Sequence, residues 1–483
     1  MVDYDLIVIG AGSGGYVTAI RAAQLGASVA VIEKGQVGGT CLTRGCIPTK
    51  TMVASARLVE KIDRADQFGV EVEGYKVNYE RIIQRKEDIV EELVQGVYFL
   101  FKKNGIDLIK GKAILLNNNT VKVNIDNGGL KTGEIVQYKA ENIVIATGSK
   151  PLLLPEFNYD GINVVSSKEA LEFPAIPEKL LIIGAGYIGC EFASIYSALG
   201  CKVTVVELMK QILPGEDKGT AKRMERVFAD KGVRVITDTK VELVEVLDKI
   251  KEPSLQKLEK KPLKDANNVF VHLNDGEVIN TEKVLAAVGR IPVSQEIGLK
   301  GLGIDIDERG FIMVNDQMET NIPGIYAVGD VTGKVMLAHV ASAQGIVAAE
   351  NIMGNNKEMD YSSIPSVIFT NPELARTGIS FSQARKMGYK VKKGRFFYRA
   401  NGKAKAMGEE NGIITLVSDQ ETGRILGGEV FGVDAANLIS EITLAVKNGI
   451  TAESLSFTIH AHPTLAETIK EAAEDIYGVS IHS

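Results

Sequence analysis

The chain has few cysteines, no surplus of basic residues and no long apolar run, and each of these features excludes a class of protein. The 483 residues include four cysteines, too few for a disulfide-stapled secreted scaffold, so we expect a reducing compartment and one functional pair. The formal net charge of −6 gives no basic surplus that would favour nucleic acid or an anionic membrane as partner. Apolar runs are too short to span a bilayer, and residues 1–5 lack the basic character of a signal peptide. The sequence therefore predicts a cytoplasmic protein with no nucleic-acid partner, no membrane partner and no metal site.

Glycine, by contrast, is abundant, and one early cluster has the spacing of a dinucleotide-binding turn. Residues 5–9 have the composition of a buried parallel strand, and Gly10, Gly12 and Gly15 follow in G-x-G-x-x-G spacing before a helix. The next predicted strand ends on Glu33. The glycines permit a tight turn, a close approach of the backbone to a pyrophosphate, and close helix–strand packing. The pyrophosphate is expected at the helix N-terminus and the ribose at Glu33.

The same construction occurs a second time. The predicted strand 179–183 leads into Gly184, Gly186 and Gly189, and the strand after the next helix ends on Glu207. The acid follows the third glycine by 18 residues in both copies (33 − 15 and 207 − 189). Incidental core packing explains one such pattern more readily than two. The sequence therefore predicts two dinucleotide-binding folds and two dinucleotides.

Two cysteines follow the first copy closely. Cys41 and Cys46 lie in the stretch 38–50, Gly-Gly-Thr-Cys-Leu-Thr-Arg-Gly-Cys-Ile-Pro-Thr-Lys, and Cys41 is predicted in the first turn of a helix, where the dipole lowers a thiol pKa. A regular helix would hold the two cysteines too far apart for a disulfide. Gly45 permits a distortion, and Pro48 opposes an undisturbed helix through both. They are either two unrelated buried thiols or a redox pair, and their place behind a nucleotide-binding pattern favours the pair.

The stretch 38–50 resembles the redox-active motif of the pyridine nucleotide–disulfide oxidoreductases, a family of flavoproteins. The resemblance implies a Cys41–Cys46 disulfide in which Cys41 exchanges with substrate and Cys46 lies against the flavin. The first glycine copy is then the FAD site, and the second is the nicotinamide site. A carboxylate binds the ribose hydroxyl of NAD and repels the phosphate of NADP, so Glu207 favours NAD.

A histidine near the end of the chain has neighbours that distinguish it. Pro463 after His462 fits the first turn of a helix, and Glu467 follows in that turn. A carboxylate bonded to one imidazole nitrogen leaves the other to act as a base. The pair resembles the catalytic His–Glu pair of the family, which implies that it serves the cysteines of the other subunit of a homodimer. His460 is expected to be supporting structure, with a direct role as the alternative.

Further residues match cofactor positions of the family. For FAD these are Thr40, Lys50, Ala113, Thr147, Gly148, Asp330 and Ala338. For the nicotinamide they are Tyr187, Glu191, Val241 and Gly289. Taken alone, Asp330 is a strand-end cap, whereas the resemblance implies that it binds the ribitol of FAD. Lys50 and Glu191 are either solvated charges or an ion pair beside the flavin, and Tyr187 is either a packed residue or an aromatic lid.

The patterns and the resemblance together imply an α/β architecture with two Rossmann-like domains that bind FAD and NAD(P), followed by a C-terminal α+β dimerisation domain. We expect an FAD-binding domain over residues 1–148 and an NAD-binding domain over 149–275. A central domain over 276–350 completes the FAD site, and the dimerisation domain covers 351–483. The charged stretch 247–268 is predicted to be an exposed hairpin extension.

Within the family, the chain most resembles the branch that oxidises dihydrolipoamide, or dihydrolipoate, with NAD⁺. Its substrate is then a lipoyl-bearing protein or free lipoamide or lipoate, and 2-oxo acid dehydrogenase and glycine cleavage complexes are candidate partners. The alternatives are a related NAD(P)H-dependent disulfide or mercuric reductase and a non-catalytic flavin-binding scaffold. One departure is notable: the family usually has Asn-Val where this chain has Thr43 and Arg44. Arg44 either lowers the thiol pKa values or pairs with a nearby acid, and it puts the substrate in doubt.

Overall fold

A computed structural model describes residues 3–126, 134–247 and 268–482 of the chain. The strands in these ranges are β1 (Tyr4–Ile9), β2 (Val29–Glu33), β3 (Asp107–Asn117), β4 (Thr120–Ile125), β5 (Ile135–Ile145), β6 (Ser149–Pro151), β7 (Val164–Val165), β8 (Lys179–Ile183), β9 (Lys202–Val206), β10 (Arg234–Ile236), β11 (Val241–Val246), β12 (Val269–Leu273), β13 (Val278–Thr281), β14 (Lys283–Ala286), β15 (Arg290–Pro292), β16 (Ile325–Ala327), β17 (Ser366–Ile368), β18 (Glu373–Gly378), β19 (Val391–Phe397), β20 (Ile413–Asp419) and β21 (Ile425–Gly432). The α-helices are α1 (Ser13–Gln24), α2 (Gly39–Arg44), α3 (Cys46–Asp63), α4 (Tyr79–Lys103), α5 (Ser167–Ala170), α6 (Tyr187–Ala198), α7 (Lys218–Asp230), α8 (Leu299–Leu302), α9 (Ala338–Ile352), α10 (Phe381–Lys386), α11 (Gly402–Ala406), α12 (Ala435–Lys447), α13 (Ala452–Phe457) and α14 (Glu467–Asp475).

Contacts between residues group the chain into two compact units, each assembled from several segments. The first unit comprises residues 1–52, 78–175 and 286–360, and the second unit comprises residues 53–77, 176–285 and 361–483. The four domains predicted from the sequence divide the chain differently, and that division remains a prediction.

The first unit is built on a parallel sheet of five strands, β3-β2-β1-β5-β16. Leu6 to Ile9 of β1 are buried one after another, as expected of a parallel strand covered on both faces. β3 and β5 run on past this sheet and form an antiparallel meander with β4. Helix α9 packs so closely on α1 that a Cβ atom at Gly345 would lie only 2.6 Å from Oγ1 of Thr18.

The cysteine stretch folds as two helices rather than one. Gly45, at φ −144° and ψ −110°, separates α2 from α3, and a Cβ atom there would lie 2.8 Å from the Thr40 carbonyl oxygen. Pro48 lies in the first turn of α3, where its missing N–H has no helical partner to lose. The prediction that no regular helix runs through both cysteines is confirmed.

The second unit contains a second parallel sheet, in which β8, β9 and β10 are neighbours and β14 adjoins β8. An antiparallel sheet, β11-β12-β13, follows it. The predicted hairpin extension falls almost wholly on residues 248–267, outside the described residues. At its base, the Leu247 N–H donates to the Asn268 carbonyl at 2.8 Å.

The C-terminal part of the second unit is an antiparallel sheet with helices, in the order β17-β18-β21-β20-β19. Its core contains the buried side chains of Phe396, Tyr398, Ile439 and Ile469, so that α12 and α14 cover the sheet. The predicted α+β character of this region is confirmed. None of the helices in the described ranges combines the length and the apolar character needed to cross a bilayer.

Candidate active site

The first glycine turn brings the dinucleotide surface and the cysteine helix into contact. Gly10 has φ +105°, and a Cβ atom at Gly15 would lie 1.8 Å from the Gly10 carbonyl oxygen. Gly39, the first residue of α2, comes so close to the turn that its own Cβ would lie 2.6 Å from Cα of Gly12. Glycine is therefore required at position 39. The backbone just before Cys41 is therefore fixed against the predicted FAD turn.

The second turn repeats the first in detail. Gly184 has φ +99°, and a Cβ atom at Gly189 would lie 1.9 Å from the Gly184 carbonyl oxygen. The two predicted ribose acids also match, because each carboxylate accepts two backbone hydrogen bonds. Glu33 accepts from Ala11 at 2.7 Å and Gly35 at 2.7 Å. Glu207 accepts from Ala185 at 2.6 Å and Met209 at 2.8 Å. The bonds from Ala11 and Ala185 tie the end of the second strand to the glycine turn in each copy.

Both turns fit a bound dinucleotide. Neither α1 nor α6, which lie wholly within the described residues, has a side chain capping its N-terminus. Their first N–H groups are therefore available to a phosphate. A Cβ atom at Gly186 would meet nothing within 4 Å, and one at Gly12 would meet only Cα of Gly39 at 3.8 Å. The backbone thus faces open space where a pyrophosphate is expected.

The two cysteines lie beside each other, and the structure carries both as thiols joined by a hydrogen bond. This contact with Cys46 raises the pKa of Cys41, and burial raises it further, while the Ser13 hydroxyl and the Lys50 charge oppose the rise. In this dithiol form the pKa of Cys41 therefore lies above its ordinary value, opposite to the direction expected from the helix start. The disulfide itself remains a prediction.

A polar cluster around Asp330 contains a residue that the sequence reasoning missed. The Ser149 hydroxyl donates to Oδ2 of Asp330, and Nε of Arg290 donates to the Ser149 hydroxyl at 2.7 Å. Arg290 also donates to the Ser149 carbonyl at 2.9 Å, and its Nε lies 3.8 Å from the Asp330 carboxylate. Burial lowers the pKa of Arg290, with the nearby charge of Arg44 contributing. The only sequence signal for Ser149 is its place directly after Thr147 and Gly148.

His462 and Glu467 meet as the sequence reasoning expected. Nδ1 of His462 lies 2.8 Å from Oε1 of Glu467, and the Thr464 N–H donates to Oε2 at 2.8 Å. Burial opposes the ionisation of Glu467, but these two partners outweigh it and hold the pKa of Glu467 below its usual value. The His462 side chain is 79% exposed, and within the described residues its Nε2 carries no hydrogen bond. That nitrogen is available to take a proton.

The prediction that Pro463 lies in the first turn of a helix is wrong. Helix α14 begins at Glu467, four residues later, and the His462–Pro463 peptide bond is cis. The Glu467 carboxylate binds the Thr464 N–H and the imidazole of the preceding segment, which stabilises that segment as a loop.

His460 is held differently from His462. Its Nδ1 lies 2.9 Å from the Thr458 carbonyl, its Nε2 lies 2.8 Å from Glu441, and its side chain is 6% exposed. Both nitrogens face oxygen acceptors, so neither is open to a substrate.

The other predicted site residues are distributed over both units. The first unit holds Thr40 and Lys50 on α2 and α3, Ala113 on β3, Thr147 and Gly148 after β5, Gly289 before β15, and Ala338 at the start of α9. The second unit holds Tyr187 and Glu191 on α6 and Val241 at the start of β11. Oε1 of Glu191, a buried side chain, accepts the Phe369 N–H at 2.9 Å. The ion pair between Lys50 and Glu191 remains a prediction. Among the described residues, no three His, Cys, Asp or Glu side chains are grouped to hold a metal ion.

The chain matches known proteins over nearly its whole length. The family described as "Pyridine nucleotide-disulphide oxidoreductase" matches residues 4–345, and its "dimerisation domain" matches residues 364–473. A dihydrolipoyl dehydrogenase of Chlamydia trachomatis serovar D is 43% identical over 97% of this chain and 96% of its own length. One of Staphylococcus aureus is 39% identical over 100% of this chain and 98% of its own. The crystal structure of LpdA from Mycobacterium tuberculosis, 28% identical, matches with a TM-score of 0.88 over 97% of this chain and 99% of that chain.

The chain therefore belongs to the pyridine nucleotide–disulfide oxidoreductase family. It is a flavoprotein disulfide oxidoreductase that uses FAD and NAD, and its dimerisation domain makes it a homodimer. The fold class, enzyme class and cofactors predicted from the sequence are confirmed.

Proposed function

We propose that the protein oxidises dihydrolipoamide or dihydrolipoate to the cyclic disulfide with NAD⁺ as the acceptor. The observation that carries this proposal is the pair of adjacent sulfurs, Cys41 on helix α2, which is seated against the first glycine turn, and Cys46 at the start of α3. The names of the relatives at 39–43% identity support a lipoyl substrate over other disulfides. The net reaction converts dithiol and NAD⁺ into disulfide, NADH and a proton.

The chemistry at sulfur uses both cysteines in their disulfide form. A substrate thiolate attacks Sγ of Cys41, which breaks the Cys41–Cys46 bond and releases Cys46 as a thiolate. The second substrate thiolate then attacks the substrate sulfur bound to Cys41, closes the substrate disulfide and releases Cys41. The enzyme thereby gains two electrons as a dithiol, while the substrate loses two. Bound FAD supplies the carrier that passes this electron pair to NAD⁺.

The protons of the substrate thiols require an acceptor, and we assign that role to Nε2 of His462. Glu467 at 2.8 Å orients the ring through Nδ1 and stabilises the imidazolium that forms. We propose that this pair serves the cysteines of the partner subunit, so that a complete site requires the homodimer. His460 supports the loop, since both its nitrogens are occupied.

The cofactor assignments follow the two glycine turns. In the FAD site we place Gly10, Gly12, Gly15, Glu33 and the Asp330 cluster, and in the NAD site Gly184, Gly186, Gly189 and Glu207. Lys50 and Glu191 are proposed to flank the flavin. The protein is proposed to act in the cytoplasm on lipoyl groups of a separate carrier, such as a 2-oxo acid dehydrogenase or glycine cleavage complex.

A comparison of turnover with different substrates tests the proposal directly. The purified FAD-loaded protein is assayed with dihydrolipoamide and NAD⁺, and in the reverse direction with lipoamide, glutathione disulfide or Hg(II) against NADH and NADPH. We expect turnover with the lipoyl substrates and NAD(H). Faster turnover of glutathione disulfide or Hg(II), or a preference for NADPH, would contradict the proposal, and absence of all turnover would favour a non-catalytic scaffold.

A further inference from the structure

A buried group of charged side chains surrounds the hydroxyl of Tyr187 inside the second unit. That hydroxyl donates a hydrogen bond to Oε1 of Glu216, and Nε of Arg376 lies 3.1 Å from the same oxygen. The side chain of Glu216 is 1% exposed, and that of Arg376 is 34% exposed. The Ser366 side chain also hydrogen-bonds to Tyr187. The ring is therefore held at its polar end by residues that are distant in sequence.

Burial of the Glu216 carboxylate costs free energy, which indicates a specific role. Its Oε2 is buried and has no hydrogen-bond partner among the described residues, although buried carboxylate oxygens are normally paired. Burial raises the pKa of Glu216 above its usual value, while Arg376 and the Tyr187 hydroxyl oppose the rise. Burial and the charge of Glu216 raise the pKa of Tyr187, so the phenol remains a donor. If Glu216 only filled space, a side chain without an unpaired buried oxygen would pack there equally well.

Tyr187 lies at the second glycine turn, where the dinucleotide is expected to bind. It directly follows Gly186 and is the first residue of α6. Apart from the adjacent residues Ala185 and Tyr187, nothing lies within 4 Å of a Cβ atom built at Gly186. The hydroxyl end of the ring, however, is directed to Glu216, to Ser366 of β17 and to Arg376 of β18. The anchor thus holds a large ring beside the open dinucleotide surface.

We propose that Glu216 and Arg376 are positioning residues for nicotinamide dinucleotide binding, which anchor the Tyr187 hydroxyl and so keep its ring off the surface beside Gly186. The inference rests on the proposed function, because it takes the second glycine turn as the NAD site. A released ring rotates about its side-chain bonds and competes with the dinucleotide for that surface. The anchor therefore acts on NAD affinity and leaves the chemistry at the cysteines untouched.

The test removes the anchor from each side. Tyr187→Phe deletes the hydroxyl alone, and Glu216→Gln keeps the shape of the side chain while removing its charge. NAD⁺ is titrated into each oxidised holoenzyme by calorimetry. A hydrogen bond to a charged group is strong enough that its loss should weaken NAD⁺ binding about 10-fold. The double variant should be no weaker than Tyr187→Phe alone, because that substitution already removes the hydroxyl whose hydrogen bond Glu216→Gln weakens.

Two controls separate anchoring from general destabilisation. Tyr196→Phe removes a hydroxyl from a buried ring on the same helix, stacked on Phe192 with ring centroids 6.2 Å apart, and should bind NAD⁺ as the wild type does. For Glu216→Gln, the KM for NAD⁺ should rise with the dissociation constant, whereas kcat at saturating NAD⁺ should stay within about twofold. A merely structural role would instead lower kcat, FAD content and the unfolding temperature together.

The outcomes distinguish this inference from the function on which it rests. Anchor variants that bind NAD⁺ as tightly as the wild type, or a double variant with additive losses, would overturn the inference alone. A wild-type holoenzyme that binds no NAD⁺ would overturn both. A selective loss of affinity shared by both single variants and absent from Tyr196→Phe would establish the anchor.

Discussion

Replacement of the proposed base by a neutral amide, His462→Gln, tests the thiol half of the reaction. The side chain is 79% exposed, so its loss should change the free energy of unfolding by no more than about 0.5 kcal/mol. Glutamine can still bond to Glu467 but cannot accept a proton from a thiol. The variant therefore removes the proton acceptor and little else.

The expected loss of rate exceeds the cost of ionising a thiol unaided. A thiol with an ordinary pKa of about 8.5 is only about 3% thiolate at pH 7, so unaided ionisation costs about 30-fold. Loss of a base held at hydrogen-bond distance usually costs about 10²–10⁴ in rate, and we expect a loss in that range. The residual rate of His462→Gln should also rise about tenfold per pH unit from pH 6 to 8, since solvent alone then ionises the substrate.

The assay compares the two half-reactions. Turnover of dihydrolipoamide with NAD⁺ should fall, while anaerobic reduction of the flavin by NADH should be nearly unchanged. His482→Gln is a matched control, because Nδ1 of His482 lies 2.6 Å from Glu471 on the same helix and its side chain is 67% exposed. An equal loss of both half-reactions in His462→Gln, or an equal loss in His482→Gln, would refute the assignment.

Three further predictions concern other parts of the molecule. Glu207→Ala should lower the free energy of unfolding by about 2 kcal/mol, because two backbone N–H groups lose their acceptor, and it should weaken NAD⁺ binding but not FAD retention; calorimetry and FAD content check this, and Glu33→Ala should show the reverse selectivity. Arg44, exposed at the end of α2, should favour an anionic substrate, so Arg44→Val should lower kcat/KM for dihydrolipoate about 2- to 5-fold relative to dihydrolipoamide, and an unchanged ratio removes the idea. Burial raises the pKa of Glu429 from 4.5 to about 7, so the folded state holds this proton more tightly than the unfolded chain, and the associated stability is present below pH 4.5 and lost as pH rises to about 7. Glu429→Gln should abolish that loss, which is at most about 3 kcal/mol and is reduced by partial solvent access, and urea titrations of both proteins at pH 5 and pH 8 measure it.

Much of the fold was predictable because its signals are local. The glycine turns follow from spacing alone, since a side chain at Gly15 or Gly189 would collide with the carbonyl of the first glycine in its turn. The break between α2 and α3 follows in the same way from Gly45 and Pro48. The acids at the ends of the second strands were also predicted, but their bonds to backbone N–H groups were not. The residue type shows that a carboxylate is present, but it does not show all of the groups that the carboxylate binds.

The errors and omissions arose where distant or competing interactions decide. Asp330 and Ser149 are 181 residues apart, and no sequence pattern joins them. The main cause that raises the pKa of Cys41 is its hydrogen bond with Cys46, a partner that a helix-dipole argument does not include. Helix α14 begins later than Pro463 suggests, because the Glu467 side chain binds the segment before the helix.

The central claim is that Cys41 and Cys46 form the disulfide that exchanges an electron pair with NAD(H). The most direct measurement is anaerobic alkylation of the FAD-loaded protein under unfolding conditions, before and after one equivalent of NADH, with the modified sites identified by mass spectrometry. Of the four cysteines, we predict that Cys190 and Cys201 are alkylated in both samples and that Cys41 and Cys46 become reactive only after NADH. Four reactive thiols in the untreated protein, or two that remain unreactive after NADH, would contradict the account.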